Sequence, residues 1–177
     1  MDNSLKGLNT FTLKVFFFYF IWVISEHFLS HKISLYFDFW SFFYHCFLKI
    51  ILALSRLELL ILGYDYVSGY NSLAIVGTYG VIIGNNCIGF GLYYAFASLI
   101  ISYPGPILKK AWFVPTGIFC MILINSFRVV ALCTKAINNS GFFQMEQHDL
   151  FNNIIYILIF LLWFLWIKVI NKEPQSA

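Results

Sequence analysis

The sequence predicts an all-α fold, a polytopic bundle of transmembrane helices. Of its 177 residues, 60% are hydrophobic and only 11% are charged, whereas an ordinary soluble domain has about 25% charged residues. The mean hydropathy is +0.79. A chain of this size cannot hide so much apolar surface in one core, so we expect the lipid bilayer to be its main solvent. Residues 1–177 are therefore expected to form a single integral-membrane domain, which excludes a soluble globular protein.

Long apolar runs define the helices of this bundle. A helix that crosses about 30 Å of hydrocarbon needs about 20 mostly apolar residues. Pro104-Gly105-Pro106 ends one such run, because neither residue type continues a helix easily, and Asn138-Asn139-Ser140-Gly141 marks another loop. The runs predict five spans, at about residues 11–29, 43–63, 86–103, 111–133 and 149–168.

Residues 64–84 differ in character from the predicted spans. They begin with a polar and aromatic turn over residues 64–71, and residues 73–83 are rich in β-branched residues and glycine. This pattern favours a short hairpin or a re-entrant segment at the membrane interface.

Positive residues predict the orientation, since the cytoplasmic loops of membrane proteins carry an excess of Lys and Arg. Lys109 and Lys110 follow the Pro-Gly-Pro turn, and Lys168 and Lys172 lie at the end of the last span. We therefore expect this turn and the C-terminus to face the cytoplasm. The start of the third span, the end of the fourth and the start of the fifth then lie at the outer face of the cytoplasmic membrane. Residues 1–63 leave two alternatives open, one giving five spans in all and the other six.

Charge and spacing exclude several classes of partner. The formal net charge of +3 is small and scattered, so no nucleic-acid partner is expected. The four cysteines and four histidines show no CxxC, CxxH or HExxH spacing. We therefore expect no metal site and no cofactor.

Three reactive residues fall on the predicted outer face, although they lie far apart in sequence. Cys87 opens the third span, Arg128 lies near the end of the fourth, and His148 opens the fifth. A helix start and a nearby cation both favour the thiolate form of a cysteine, which is its nucleophilic form. His148 could take the thiol proton and return it to a leaving amine. Arg128 could hold a carbonyl oxygen as it becomes an oxyanion.

Four further residues are candidates for supporting roles. Gly89 and Gly91 would let a substrate backbone approach closely. Asn125 precedes Arg128 by three residues, so the two share a helix face, and Asn152 follows His148 by one turn and could orient its ring.

Each catalytic candidate also has a plainer interpretation. A cysteine in a membrane helix is often a small apolar filler, and we expect this for Cys46, Cys120 and Cys133. An arginine at the end of a span is often an interfacial anchor, and His148 could be a polar helix cap.

In sequence, residues 86–156 resemble the exosortase/archaeosortase family of membrane-embedded, cysteine transpeptidase-like enzymes. The resemblance rests on four short motifs in order: Cys87-x-Gly89, Pro104-Gly105 with Lys109-Lys110, Asn125-x-x-Arg128, and His148 at the start of the last helix.

The resemblance implies a peptidase or transpeptidase with Cys87 as nucleophile, Arg128 as transition-state stabiliser and His148 as third catalytic residue. Its partners would be exported proteins with a C-terminal sorting tail, made of a short motif, an apolar helix and a basic end. Cleavage at the motif would pass the acyl-enzyme to an acceptor for surface attachment, and water, an amine and a lipid all remain open as that acceptor.

Two alternatives from other classes explain the composition equally well. One is a non-catalytic membrane subunit or scaffold. The other is a small transporter, in which residues 64–84 and the charged residues Lys49, Arg56 and Glu58 of the second span would line a pathway.

Overall fold

The computed structural model describes residues 2–25, 34–138 and 144–171, and these are mostly helical. The predicted predominance of helix is therefore confirmed, with one small sheet added. In chain order the elements are α1 (Asp2–Ile24), α2 (Ser34–Ile61), β1 (Tyr66–Ser68), β2 (Ser72–Ile75), β3 (Val81–Ile82), α3 (Asn85–Ile88), α4 (Phe90–Ser102), α5 (Ile107–Lys135), a 3₁₀ turn (Ala136–Asn138) and α6 (Gln144–Asn171).

Among the described residues, only α5 is both long and apolar enough to cross a membrane, whereas the sequence predicts five or six such helices. The predicted third span does not form one helix, because Gly89 adopts a left-handed conformation with φ +79° and separates α3 from α4. With 13 residues, α4 is about 20 Å long, less than the hydrocarbon thickness. α2 is long, but Lys49, Arg56 and Glu58 lower its hydropathy.

The segment expected to be a hairpin or re-entrant piece is a three-stranded antiparallel sheet in the order β1-β2-β3. Tyr66 pairs with Ile75 across β1 and β2, and Ser72 pairs with Ile82 across β2 and β3. Leu73 and Ile75 alternate with less buried neighbours along β2, so one face of the sheet is apolar and buried.

The chain divides into two compact units. Unit 1 comprises Met1–Trp40, Phe90–Ile118 and Ile159–Ala177, and unit 2 comprises Ser41–Gly89 and Phe119–Leu158. In unit 2, apolar side chains of α2, the sheet and the second half of α5 form the core, among them Leu48, Ile51, Leu73, Met121 and Cys133. The thiol of Cys133 donates a hydrogen bond to the carbonyl of Leu73 at 3.4 Å, which joins α5 to β2.

Unit 1 is held together by aromatic side chains. The hydroxyl of Tyr94 donates to the carbonyl of Phe18 at 2.9 Å, and its ring lies 4.9 Å from that of Trp22, so α4 is joined to α1. Phe113 of α5 contacts both α4 and α6. The centroid of its ring lies 6.3 Å from that of Phe96 and 5.0 Å from that of Trp166. These contacts place one aromatic cluster between α4, the first half of α5 and the end of α6.

A glycine permits the close approach of α4 and α5 in this cluster. The ring of Phe96 is fully buried and lies directly over Gly117, where a Cβ atom would overlap its edge. Gly91 on α4 has more room, since a Cβ there would be 3.9 Å from the indole of Trp22.

We expect Gly117→Ala to lower the free energy of unfolding by about 1–3 kcal/mol, because the buried Phe96 ring must move to admit the methyl group. Gly91→Ala is the matched control, and it should be neutral or slightly stabilising because alanine favours helix. The measurement is the midpoint of thermal unfolding in mild detergent. Equal midpoints for the two variants would show that the cluster tolerates the added volume.

Candidate catalytic site

Cys87 lies in a single helical turn rather than at the start of a long helix. Its backbone N–H donates to the carbonyl of Gly84 at 2.9 Å, and the left-handed Gly89 ends the turn. The side chain is half-buried and its thiol is free. Cys87 therefore does lie in the first turn of a helix, but this helix has only four residues, and stabilisation of the thiolate by the helix start stays a prediction.

Asn125 holds this turn in place. Its side-chain amide donates to the carbonyl of Cys87 at 2.6 Å and lies 3.4 Å from the carbonyl of Ile88. The last carbonyls of a helix have no partner inside it, and Asn125, only 2% exposed, supplies one from α5. The predicted supporting role of Asn125 was based on its closeness to Arg128, whereas its observed contact is with the backbone of the cysteine itself.

Arg128 lies one helical turn beyond Asn125 and is 4% exposed. An interfacial anchor keeps its charged end in water or among lipid headgroups. Burial of Arg128 within the protein therefore argues against the anchoring interpretation. A buried arginine with its fixed charge and planar donors is suited to binding a carbonyl or carboxylate oxygen.

The remaining predicted site residues are His148, Asn152, Gly89 and Gly91, and none of them has a described side-chain contact with Cys87. The backbones of His148 and Asn152 belong to α6, but their side chains lie outside the described residues. Gly89 has a positive φ, a conformation that favours glycine over other residues. The backbone therefore accounts for a glycine at this position without any contact to a substrate. Gly91 belongs to unit 1, and the space a side chain would occupy there faces Trp22.

A cluster of histidine and tyrosine in unit 2 was missed by sequence reasoning. The hydroxyl of Tyr70 and Nδ1 of His45 are hydrogen-bonded at 2.6 Å, and Nε2 of His45 lies 3.2 Å from Oγ of Ser41. Tyr44, the neighbour of His45, donates to the carbonyl of Ile83 at 3.5 Å and interacts electrostatically with both Tyr70 and Cys87. The i, i+4 spacing of Ser41 and His45 could have suggested the first pair. The position of Tyr70 depends on the turn between β1 and β2. The spacing of residues in the sequence does not predict that this turn brings Tyr70 to His45.

The carboxylate of Glu58 on α2 bonds a neutral side chain of α5. The hydroxyl of Ser126 donates to Oε1 of Glu58 at 2.5 Å, and the hydroxyl of Ser55 donates to the carbonyl of Ser126 at 3.3 Å. The second carboxylate oxygen of Glu58 and Nε of Arg56 are buried, with no hydrogen-bond partner among the described residues. These contacts join α2 to α5 beside Asn125.

The described part of the chain contains no group of three or more His, Cys, Asp and Glu side chains that could hold a metal ion. Its four cysteines are all free thiols. Among the described side chains of unit 2, those that carry reactive or charged groups include the thiol of Cys87, the buried guanidinium of Arg128 and the phenol of Tyr44.

Comparison of the chain with protein-family models, with curated proteins and with solved structures finds no match in any of the three. The resemblance to the exosortase/archaeosortase family therefore stays a prediction that depends on the motifs of the sequence.

We expect Asn125→Ala to destabilise the protein by about 1–3 kcal/mol, because it leaves buried backbone carbonyls without a donor. Asn153→Ala, at an exposed position of α6, is the control and should change stability by less than about 0.5 kcal/mol. Thermal unfolding of both variants in detergent measures the difference. A midpoint for Asn125→Ala equal to that of the control would mean that the turn around Cys87 does not depend on this amide.

Proposed function

We propose that this protein is a membrane cysteine peptidase or transpeptidase of the exosortase type. One observation carries the proposal: Asn125 bonds the backbone of Cys87, and the same helix presents the buried Arg128 one turn later. A thiol whose backbone is bonded by the same helix that carries a buried cation suits nucleophilic attack on a carbonyl group. The order of these residues in the sequence also fits the family motif.

The proposed location is the cytoplasmic membrane, with several spans, the C-terminus in the cytoplasm and the active site at the outer face. Support comes from α5 and from the apolar residues that other helices leave exposed. Large apolar side chains are exposed along α1, the end of α2 and α6, among them Leu13, Phe16, Ile61, Ile157 and Phe160. Exposed apolar surface on this scale is unusual for a soluble monomer and is typical of contact with lipid.

The proposed reaction begins when the Cys87 thiol gives its proton to a base, for which the family resemblance implies His148. The thiolate attacks the scissile carbonyl carbon, and Arg128 stabilises the oxyanion of the tetrahedral intermediate. Breakage of the C–N bond releases an amine, which takes the proton from the base and leaves a thioester on Cys87. An acceptor nucleophile then attacks the thioester, gives up its proton and regenerates the thiol.

The proposed substrates are exported proteins whose C-terminal tail has a short motif, an apolar helix and a basic end. An apolar helix can pack against other helices within the bilayer. Its basic end would stay in the cytoplasm by the positive-inside rule, and its scissile bond would reach the outer face.

A small transporter is the second candidate, favoured by the buried carboxylate of Glu58. Ionisable groups inside a membrane often mark an ion or proton pathway, and one oxygen of Glu58 has no hydrogen-bond partner in the described ranges. Full activity of a Cys87→Ala strain would favour this candidate or a non-catalytic membrane subunit over the enzyme.

We expect Cys87→Ser to reduce processing of a co-expressed tailed substrate to about 1% of the parent rate or less. A serine hydroxyl ionises far less readily than a thiol, and loss of an activated nucleophile is comparable to losing general-base catalysis, which contributes about 10²–10⁴-fold. The readout is the mass of the exported protein with and without its tail. Cys120→Ser, at another half-buried cysteine, should process normally. Unchanged tail removal by the Cys87 variant would exclude the enzyme proposal.

We expect Arg128→Lys to slow processing at least about tenfold, since losing one oxyanion donor costs about 10²–10³ in rate and the retained charge preserves part of the effect. An ammonium cannot reproduce the planar donors of a guanidinium. Tail cleavage is measured in membranes at matched levels of folded enzyme, judged by a single symmetric peak in size-exclusion chromatography. Cleavage by the lysine variant at the parent rate would assign Arg128 a role that needs only its positive charge.

A further inference from the structure

Unit 1 contains a groove between the first turns of α5 and the end of α6. Its volume is about 420 Å³, within the range of sites that bind small ligands. It is lined by Leu108, Lys109, Trp112, Phe113, Thr116 and Trp166. None of these residues belongs to the proposed catalytic site.

The wall and floor of the groove are apolar and aromatic. Trp112 is 78% exposed and Leu108 is equally so, whereas Trp166 is completely buried against Phe113. Nε1 of Trp166 has no hydrogen-bond partner within the part of the chain that the structure describes. Exposed tryptophan and leucine around a buried indole suit a flexible hydrocarbon chain, and tryptophan is enriched where lipid meets water.

One lysine lies on the groove, and two more lie near the start of α5. Lys109 lines the groove directly. The next residue, Lys110, has its ammonium fixed by the carbonyls of Ile101 and Tyr103 at 2.8 and 2.6 Å. Lys14 of α1 is close enough to interact electrostatically with Lys110. The first backbone N–H groups of α5 lie at the same end, where the helix dipole also favours an anion.

We propose that this groove binds an anionic phospholipid. The phosphate lies at Lys109 and the start of α5, and an acyl chain runs along Trp112 and Phe113 towards Trp166. An apolar groove with a lysine at the end where a helix begins is complementary to a molecule with both a hydrocarbon chain and an anionic head. The predicted orientation places Lys109 and Lys110 at the cytoplasmic leaflet, where anionic lipids attract basic residues. The inference goes beyond the proposed function and does not depend on the role of Cys87.

The test measures lipid binding to the full chain by native mass spectrometry. The protein is purified in a neutral detergent and titrated with phosphatidylglycerol or with phosphatidylcholine of the same acyl chains. We expect tighter binding of phosphatidylglycerol, and Lys109→Gln should weaken it about fivefold without changing phosphatidylcholine binding. Trp112→Ala should weaken both lipids, and glycerol phosphate, which lacks an acyl chain, should not compete.

Two control variants lie on the same helix outside the groove. Lys135→Gln removes an exposed lysine in the last turn of α5, and Phe119→Ala removes an exposed aromatic ring; both should bind phosphatidylglycerol as the parent does. Lys109→Arg should retain binding, which separates loss of charge from misfolding.

Equal affinity for the two lipids, or equal loss in Lys135→Gln and Lys109→Gln, would overturn the proposal. A dimeric parent that Trp112→Ala converts to a monomer would also overturn it, since the groove would then be a contact between copies.

Discussion

The hydrogen bond from the Asn125 amide to the carbonyl of Cys87 is the constraint on which the arrangement of unit 2 depends. A one-turn helix cannot satisfy its own terminal carbonyls, so the turn that carries the thiol needs a donor from outside. α5 supplies that donor from a buried position. The same stretch of α5 bonds Glu58 of α2 through Ser126 and Leu73 of β2 through Cys133. Because these contacts fix both the rotation and the axial position of α5, they also fix where Arg128 lies.

Unit 2 surrounds its reactive groups with neutral hydrogen-bonding partners. Glu58 is bonded by a serine hydroxyl, and His45 lies between a serine and a tyrosine. A neutral hydrogen-bond partner offsets less of a charge on Glu58 or His45 than an ion-pair partner would. The protonation of these two groups therefore stays sensitive to another charge that appears nearby.

Much of the fold could be predicted from the sequence, because apolar windows and Pro-Gly turns are local signals. They placed α1, α2, α5 and α6 and separated residues 64–84 from the helices. The break at Gly89 was not predicted, since an apolar window does not report the backbone angle of one glycine. Asn125 was selected for its closeness to Arg128 along one helix, which is a local rule. Its bond to Cys87 joins residues far apart in sequence, and so does the bond between Tyr70 and His45. Such contacts depend on tertiary packing, which the spacing of residues does not determine.

The left-handed conformation of Gly89 has a consequence for the length of the segment around the cysteine. Successive residues in a helical turn rotate by about 100°, and this segment begins shortly after β3. One residue inserted or deleted between Gly84 and Gly89 would turn the thiol to a different side and move the carbonyl that Asn125 binds. Over these few positions, the number of residues is therefore constrained as strongly as their chemical identity.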